Sequence, residues 1–156
     1  MRRILLDTNA LIDLCVARIP SAHEAMLAII DTCSEGDDEL LVSPISLADA
    51  SYIIEGGRQF KEALPERSQR QRLAAYVRDT AFSYCTICTI DEQVAMAAHQ
   101  NSDEEDFDDA LIAECAAAYK ADVIISSDRK AFRSSKVPSW TPEEYALGLR
   151  EGQADD

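Results

Sequence analysis

The sequence predicts an α/β protein with three layers, in which a central parallel sheet of four to five strands lies between helices. Short apolar runs of β-forming residues alternate along the chain with segments in which apolar residues recur at helical spacing. The runs contain no polar interruption, which is typical of strands buried on both faces, as in parallel sheets. With 156 residues, the chain suits one domain, expected over residues 1–149, followed by a disordered tail at 150–156.

The first strand is predicted over residues 4–6, where Ile-Leu-Leu forms an apolar run. It ends at three polar residues, Asp7, Thr8 and Asn9, after which apolar residues recur at helical spacing up to Cys15. Ligands of open α/β sheets bind at the carboxyl ends of the strands. Asp7 is therefore either the cap of the first helix or a residue of a functional site.

Two further helices and a second strand are predicted in the first half of the chain. Ser21 opens a segment with capping-box spacing, so it is expected to start a helix that Gly36 ends. The second strand is predicted over residues 40–43, and Ser46 is expected to cap the helix after it. Asp49 falls in the first turn of that helix, where the helix dipole favours a carboxylate.

A helical arm is predicted around residues 51–80, and its charge differs from that of the rest of the chain. Positive side chains outnumber negative ones over residues 58–79, although the formal net charge of the whole chain is −14. The segment is either a solvated helical face or a basic surface that contacts RNA or an acidic partner. The residues of that candidate surface are Arg58, Lys61, Arg67, Arg70 and Arg72.

The alternation of strands and helices continues in the second half of the chain. Strands are predicted over residues 84–90, 121–126 and, briefly, 136–140. Asp91 is expected to cap the helix that follows the third strand, and a further helix is expected to begin at Asp109. A capping box at Thr141 and Glu144 predicts the start of the last helix.

The composition and the spacing of particular residues argue against a membrane-spanning protein, a zinc site and an EF-hand loop. No apolar run approaches the roughly 20 residues of a membrane span, so we expect a cytoplasmic protein with free thiols. Cys85 and Cys88 have the spacing of a metal-binding pair. Residues three apart on a strand face opposite sides, however, which favours structural thiols over a zinc site. The acidic segment 101–109 lacks the glycine that an EF-hand loop needs.

Four carboxylates are expected at one edge of the sheet. Asp7 and Asp128 follow buried apolar runs, while Asp49 and Asp109 begin helices at the same edge. Converged carboxylates repel each other unless they are protonated or bind a cation, and ligands that are all oxygens suit Mg²⁺ or Mn²⁺. Such a site suits in-line attack of water on a phosphodiester. The acidic net charge argues against non-specific binding of nucleic acid, but not against an enzyme whose bound cations invert the local charge.

Four motifs of the chain resemble those of PIN-domain ribonucleases, of the type found as VapC toxins of bacterial toxin–antitoxin pairs. Their sequences are LLDTNALID at 5–13, LVSPISLAD at 41–49, DFDDALIA at 106–113 and IISSD at 124–128, followed by Phe132. The resemblance implies that the metal-binding catalytic acids are Asp7, Asp49, Asp109 and Asp128. It adds Asp106 to the metal-binding set, and Thr8, Asn9 and Ser126 as residues that support the acids.

The same resemblance implies an endoribonuclease that depends on Mg²⁺ or Mn²⁺ and acts as the toxin of a type II toxin–antitoxin pair. Its expected partners are an RNA substrate, a cognate antitoxin and a second copy of the chain in a homodimer. The antitoxin would bring an Arg or Lys into the acid cluster. Two alternatives stay open. One is a catalytically weak or inactive PIN-like module that binds a protein, and the other is a haloacid-dehalogenase-like phosphatase, which would need a second aspartate where Asn9 stands.

Overall fold

A five-stranded parallel sheet forms the centre of the fold. The structure, a computed structural model, describes residues 1–36, 38–102, 106–128 and 130–154. Within these ranges the strands are β1 (Arg3–Leu6), β2 (Glu39–Val42), β3 (Cys85–Ile87), β4 (Val123–Ile125) and β5 (Ser139–Trp140). Their spatial order is β3-β2-β1-β4-β5, and every pairing is parallel. β1 therefore lies in the middle of the sheet.

Helices cover both faces of this sheet. In the part of the chain that the structure describes they are α1 (Thr8–Cys15), α2 (Pro20–Glu35), α3 (Pro44–Gly56), α4 (Arg58–Ala63), α5 (Arg67–Tyr84), α6 (Glu92–Gln100), α7 (Phe107–Ala118) and α8 (Pro142–Ala154). Leu5 points to the face covered by α6 and α7. Ile4 and Leu6 point to the opposite face, where α1, α2 and α8 pack. The predicted three-layer α/β/α architecture is confirmed.

Two helices begin at a proline that lies before the predicted cap. α2 starts at Pro20, so the predicted capping role of Ser21 is wrong, and the Ser21 hydroxyl instead donates to Glu143 at 3.0 Å. α3 starts at Pro44, and its cap is Ser43 rather than Ser46. The Ser43 hydroxyl accepts a hydrogen bond from the Ile45 main-chain N–H at 3.2 Å. Proline has the right φ angle for the first position of a helix and needs no partner for a missing N–H, so each helix begins at its proline.

The other boundaries agree with the predictions to within a few residues. Gly36 ends α2, and Asp91 caps α6 by accepting from the Val94 N–H at 2.9 Å. The third strand is shorter than the predicted span 84–90 at both ends, since Tyr84 belongs to α5 and the strand ends at Ile87. α7 begins at Phe107 rather than at Asp109.

The last helix extends beyond the predicted end of the domain. The capping box is present, with the Thr141 N–H donating to Glu144 at 3.1 Å and the Glu144 N–H donating to Thr141 at 3.2 Å. α8 continues to Ala154, and its residues Tyr145 and Leu149 pack against the core. Residues 150–154 of the predicted tail therefore have a helical backbone, while 155–156 lie outside the described residues, and disorder of the tail stays a prediction.

The two cysteines with metal-site spacing lie on opposite sides of the sheet. Cys88 is buried in the cluster around Leu5, whereas Cys85 packs against the cluster that contains Ile4. Burial raises the pKa of both thiols to about 12. This placement confirms that the two sulfurs diverge, and the raised pKa keeps both protonated and unreactive at neutral pH.

The predicted helical arm consists of the end of α3 together with α4 and α5. Val42 of β2 anchors it by packing with Ile54, Phe60 and Val77, one apolar side chain from each of these helices. In the described part of the chain, no helix combines the length and the apolar character that crossing a membrane requires.

Arg70 is a buried residue that stabilises the arm through hydrogen bonds to main-chain carbonyl groups. Its side chain is buried, with 7% of its surface exposed. The guanidinium donates to the main-chain carbonyl oxygens of Glu55, Leu64 and Pro65 at 2.9, 2.7 and 2.8 Å. Arg70 thus links the end of α3 to the segment between α4 and α5, and because it also lines a surface cleft beside Lys61 and Arg67, its contact with RNA or a partner stays a prediction.

Replacing Arg70 with alanine is expected to destabilise the fold by about 2–3 kcal/mol, because three carbonyl groups lose a charged donor. In a protein of this size the midpoint of thermal unfolding should fall by roughly 4–12 °C. Arg72 is exposed on the same helix, so Arg72→Ala serves as the control and should change the midpoint by about 1 °C or less. Equal midpoints for the two variants would contradict the structural role of Arg70.

Candidate active site

The carboxyl ends of three neighbouring strands bring polar residues to one edge of the sheet. Leu6 of β1 pairs with Val42 of β2 on one side and with Ile125 of β4 on the other. The residues that follow these positions are Asp7, Ser43 and Ser126, which are all buried. The Asp7 main-chain N–H continues the ladder by donating to the Ile125 carbonyl oxygen at 3.0 Å. The edge is thus fixed by sheet hydrogen bonds.

Asp7 combines the two roles that its position allows. One oxygen, Oδ1, accepts from the Thr8 N–H at 2.7 Å and caps α1. The other, Oδ2, accepts from the Ser126 hydroxyl at 2.8 Å. Ser126 Oγ in turn accepts from the Asp128 N–H at 3.1 Å. The carboxylate is 5% exposed and is held from both sides.

A cleft of about 240 Å³ opens at this edge. Its polar lining consists of Asp7, Thr8, Asn9, Asp49, Asp108, Asp109 and Asp128. The four acids that the sequence predicts to converge therefore line one cleft. Asp106 is exposed at the residue before α7 and is not part of this lining. Asp108 was missed by sequence reasoning, because the helix was expected to begin at Asp109.

The acids of the cleft influence each other. Burial raises the pKa of Asp7, and the charge of Asp128 raises it further, while hydrogen bonds from Ser126 and Thr8 oppose the shift. Burial also raises the pKa of Asp49, with further contributions from Asp108 and Asp7. The carboxylates thus lie close enough to repel each other, which makes the cleft attractive to a cation.

The donor set of the cleft fits Mg²⁺ or Mn²⁺, since its polar lining offers oxygen atoms and no imidazole or thiol. Among the residues that the structure describes, no group of three or more His, Cys, Asp or Glu side chains is close enough to hold a metal ion by itself. Mg²⁺ is commonly bound through only one or two carboxylates and keeps several water ligands. An open set of carboxylates around one buried aspartate is therefore compatible with this ion.

A buried ion pair supports the cleft from the side of α1. Asp13 is fully buried, and its Oδ1 accepts from Arg18 Nε at 3.0 Å. Arg18 also donates through Nη2 to the Asn9 side-chain oxygen at 2.9 Å. Asn9, which is predicted to support the acids, is thus itself held by Arg18. One feature of the sequence could have indicated this ion pair, namely that Asp13 lies on the apolar face of α1.

The basic residues of the arm separate into three groups. Arg58 is exposed and pairs with Glu62 at 2.9 Å, and Arg72 is also exposed. Lys61 and Arg67 line a second cleft, of about 640 Å³. The third group is the buried Arg70, which also lines this second cleft, as does the acid Glu55. The two clefts adjoin, because both are lined by Tyr52 and Ile53 of α3.

Comparisons with known proteins agree with this arrangement. A family model described as PIN domain matches residues 3–130. Solved structures share the fold at low sequence identity. VapBC2 from Rickettsia felis, bound to a DNA fragment from its promoter, has a TM-score of 0.59 at 15% identity, covering 89% of this chain and 98% of that chain.

Two further structures are similar. VapC20 of Mycobacterium tuberculosis, a sarcin–ricin loop cleaving toxin, has a TM-score of 0.62 at 11% identity, with 84% of this chain and 94% of that chain covered. VapBC-1 from nontypeable Haemophilus influenzae has a TM-score of 0.59 at 18% identity, with coverages of 90% and 98%. No curated protein matches the sequence. Because the family model spans most of the chain, this protein belongs to the PIN domain family.

Proposed function

We propose that this protein is an endoribonuclease that depends on Mg²⁺ or Mn²⁺ and serves as the toxin of a type II toxin–antitoxin pair. The observation that carries the proposal is the cleft in which Asp7, Asp49, Asp109 and Asp128 meet. Membership of the PIN domain family supports it. Further support comes from the structural likeness to VapC20, a toxin that cleaves the sarcin–ricin loop, and to two VapBC proteins.

In this proposal one or two of the four acids bind the cation directly and the others bind its water ligands. The neighbours of Asp7, the most buried of the acids, fix its orientation. When bound, a divalent ion supplies the positive charge that activates water for in-line attack and stabilises charge on the phosphate oxygens. The Thr8 N–H and the Ser126 hydroxyl bind different oxygens of Asp7, so the carboxylate cannot rotate freely. Each carboxylate oxygen keeps a further lone pair for a ligand in the cleft.

The test is cleavage of a mixed pool of structured RNA at substoichiometric enzyme, with Mg²⁺, with Mn²⁺ and with EDTA. The proposal expects cutting with a divalent ion and none with EDTA. Absence of cutting with either metal would contradict it, and would favour the alternative of a PIN-like module that binds a protein without catalysis.

Replacing Ser126 with alanine is expected to lower the cleavage rate by roughly 10- to 100-fold, the usual effect of removing a residue that orients a metal ligand. Its hydroxyl donates to Asp7 and accepts from the Asp128 N–H, so one substitution removes a hydrogen bond that orients each of these two acids. Ser126→Thr keeps the hydroxyl and should retain most of the activity. The RNA cleavage rates are compared at saturating Mg²⁺. Equal rates for the alanine and threonine variants would contradict the prediction.

The proposed partners follow from the same charges. An antitoxin tail with an Arg or Lys would neutralise the acid cleft and compete with the cation. The VapBC proteins among the structural relatives support a protein partner of this kind. A homodimer is proposed from the family alone. The candidates for contact with RNA or with an antitoxin are Arg58, Lys61, Arg67, Arg70 and Arg72.

A further inference from the structure

We infer that Tyr52 positions the RNA substrate by stacking on one of its unpaired bases, at the boundary between the acid cleft and the second cleft. The inference rests on the proposed function and adds to it a residue that positions the substrate. It follows from three adjacent surface features, which are the carboxylates of the acid cleft, the exposed ring of Tyr52 on α3, and the cations of α4 and α5 that line the second cleft.

Tyr52 lies directly beside the acids. It follows Asp49 by three residues on α3, so both side chains emerge on the same side of the helix. The tyrosine is 82% exposed, whereas Ile54, two positions further on, is fully buried. The ring therefore contributes little to the core, yet it lines both clefts. An aromatic ring in this position offers a flat face to a ligand that spans the two clefts.

The second cleft suits the phosphate groups next to the cleaved bond. Lys61, Arg67 and Arg70 line it together with one acid, Glu55, and Gly56 and Gly57 leave part of its wall without side chains. Its volume of about 640 Å³ lies in the range of ligand pockets and is large enough for a nucleotide. Its three cations outnumber its one acid, so the lining favours a polyanion even in a chain of net charge −14.

The exposed ring distinguishes a single strand from a duplex. Bases in a duplex are stacked on both faces, so an aromatic side chain can stack only on a base that has been splayed out. Single-stranded nucleic acids are bound by positively charged grooves combined with aromatic platforms, and the stacking tolerates every base because each has a π-face. The cations beside Tyr52 and the ring itself provide these two elements.

The test uses the Asp7→Asn protein, which is expected to bind RNA without cutting it, and fluorescence anisotropy in Mg²⁺. The probes are a labelled decauridylate, a ten-base-pair RNA duplex, and an abasic decamer that has phosphates but no bases. Because the bases of the duplex are stacked on both faces, its binding should be the same for the parent and for Tyr52→Ala. Tyr52→Ala should weaken binding of decauridylate by roughly 5- to 150-fold. Tyr52→Trp should bind at least as well as the parent, and the abasic decamer should bind the parent and the Tyr52→Ala protein equally.

Tyr84 provides the matched control. It is 58% exposed and lines a different cleft, together with Cys33 and Leu40, at the amino ends of the strands. Tyr84→Ala should leave decauridylate binding unchanged. Because Tyr52 is so exposed, Tyr52→Ala should also unfold at the same temperature as the parent. If the alanine variant unfolds at a lower temperature, the comparison of Tyr52→Trp with the parent still tests the inference.

Three results would overturn the inference. They are unchanged decauridylate binding by Tyr52→Ala, an equal loss with the abasic decamer, and binding of neither single-stranded probe by the parent. Any of these results would favour a protein, rather than RNA, as the partner that binds this surface. The proposed function fails separately, if the wild-type protein cuts no RNA. Cutting by wild type with an unchanged KM for Tyr52→Ala would uphold the function and remove the role of Tyr52.

Discussion

Asp7→Asn is expected to lower metal-dependent RNA cleavage by roughly a thousandfold, comparable to the loss of a key electrostatic group in other enzymes. Asp7 is the most buried acid of the cleft, and both of its oxygens are oriented by hydrogen bonds. Asparagine keeps the shape of the side chain but removes the charge that attracts a cation. The measurement is the initial rate on an RNA pool with Mg²⁺, for wild type and variant side by side.

The same substitution should raise stability. Because burial raises the pKa of Asp7 in the fold, its ionised form destabilises the folded state at neutral pH. The gain from asparagine is therefore full above the raised pKa, shrinks as the pH falls through it, and disappears below the ordinary pKa of an aspartate. We therefore expect a higher unfolding midpoint for the variant than for wild type at neutral pH with EDTA, and equal midpoints below the ordinary pKa of an aspartate.

Asp106→Asn is the matched control for Asp7→Asn. Asp106 belongs to the predicted metal-binding set, but it is exposed and does not line the cleft. Its replacement should leave the cleavage rate within about threefold of wild type. A full-rate Asp7→Asn enzyme would refute the assignment of the site, whereas a strong effect of Asp106→Asn would restore that residue to it.

Arg18→Ala is expected to destabilise the fold by about 3–5 kcal/mol, the usual cost of removing one partner of a buried ion pair. Arg18 is the residue that compensates Asp13, whose side chain is fully buried. The expected decrease in the unfolding midpoint is roughly 6–20 °C. Burial already raises the pKa of Asp13 against the opposing hydrogen bond from Arg18, so the variant should raise it further. The damage should therefore shrink as the pH falls and Asp13 becomes protonated.

Two companion variants test the cause of this effect. Adding Asp13→Asn to Arg18→Ala removes the uncompensated charge, so the double variant should recover a large part of the lost stability at neutral pH. Arg58→Ala breaks an ion pair between exposed side chains and should change stability by less than about 1 kcal/mol. If the double variant is no more stable than Arg18→Ala, the buried charge is not the cause.

The sequence was informative where local rules and the geometry of the sheet act together. Uninterrupted apolar runs identified β1, β2 and β4, and parallel pairing then brings Asp7, Asp49 and Asp128 to one edge. The errors at Ser21 and Ser46 arose because two helix-starting signals competed, and the nearby prolines determined the start. In each case the serine lies one or two residues beyond the proline.

Contacts between distant parts of the chain could not be predicted in the same way. Nothing in the pattern around Arg70 distinguishes it from the exposed Arg72, because its burial depends on carbonyl groups at the ends of other segments. The hydrogen bond from Arg18 to Asn9 likewise depends on how the chain turns after α1. Tyr52 resembles any other aromatic of an amphipathic helix until its neighbours are known.

The hydrogen bond between Ser126 and Asp7 joins residues that are 119 positions apart. During synthesis, Asp7 is therefore made long before its hydroxyl partner and Asp128. β1 likewise lacks β4 as a neighbour until residues 123–125 have been made. A nascent chain that stops before Ser126 thus cannot assemble the cleft, and the order of translation delays any activity of the cleft until Asp128 has been added.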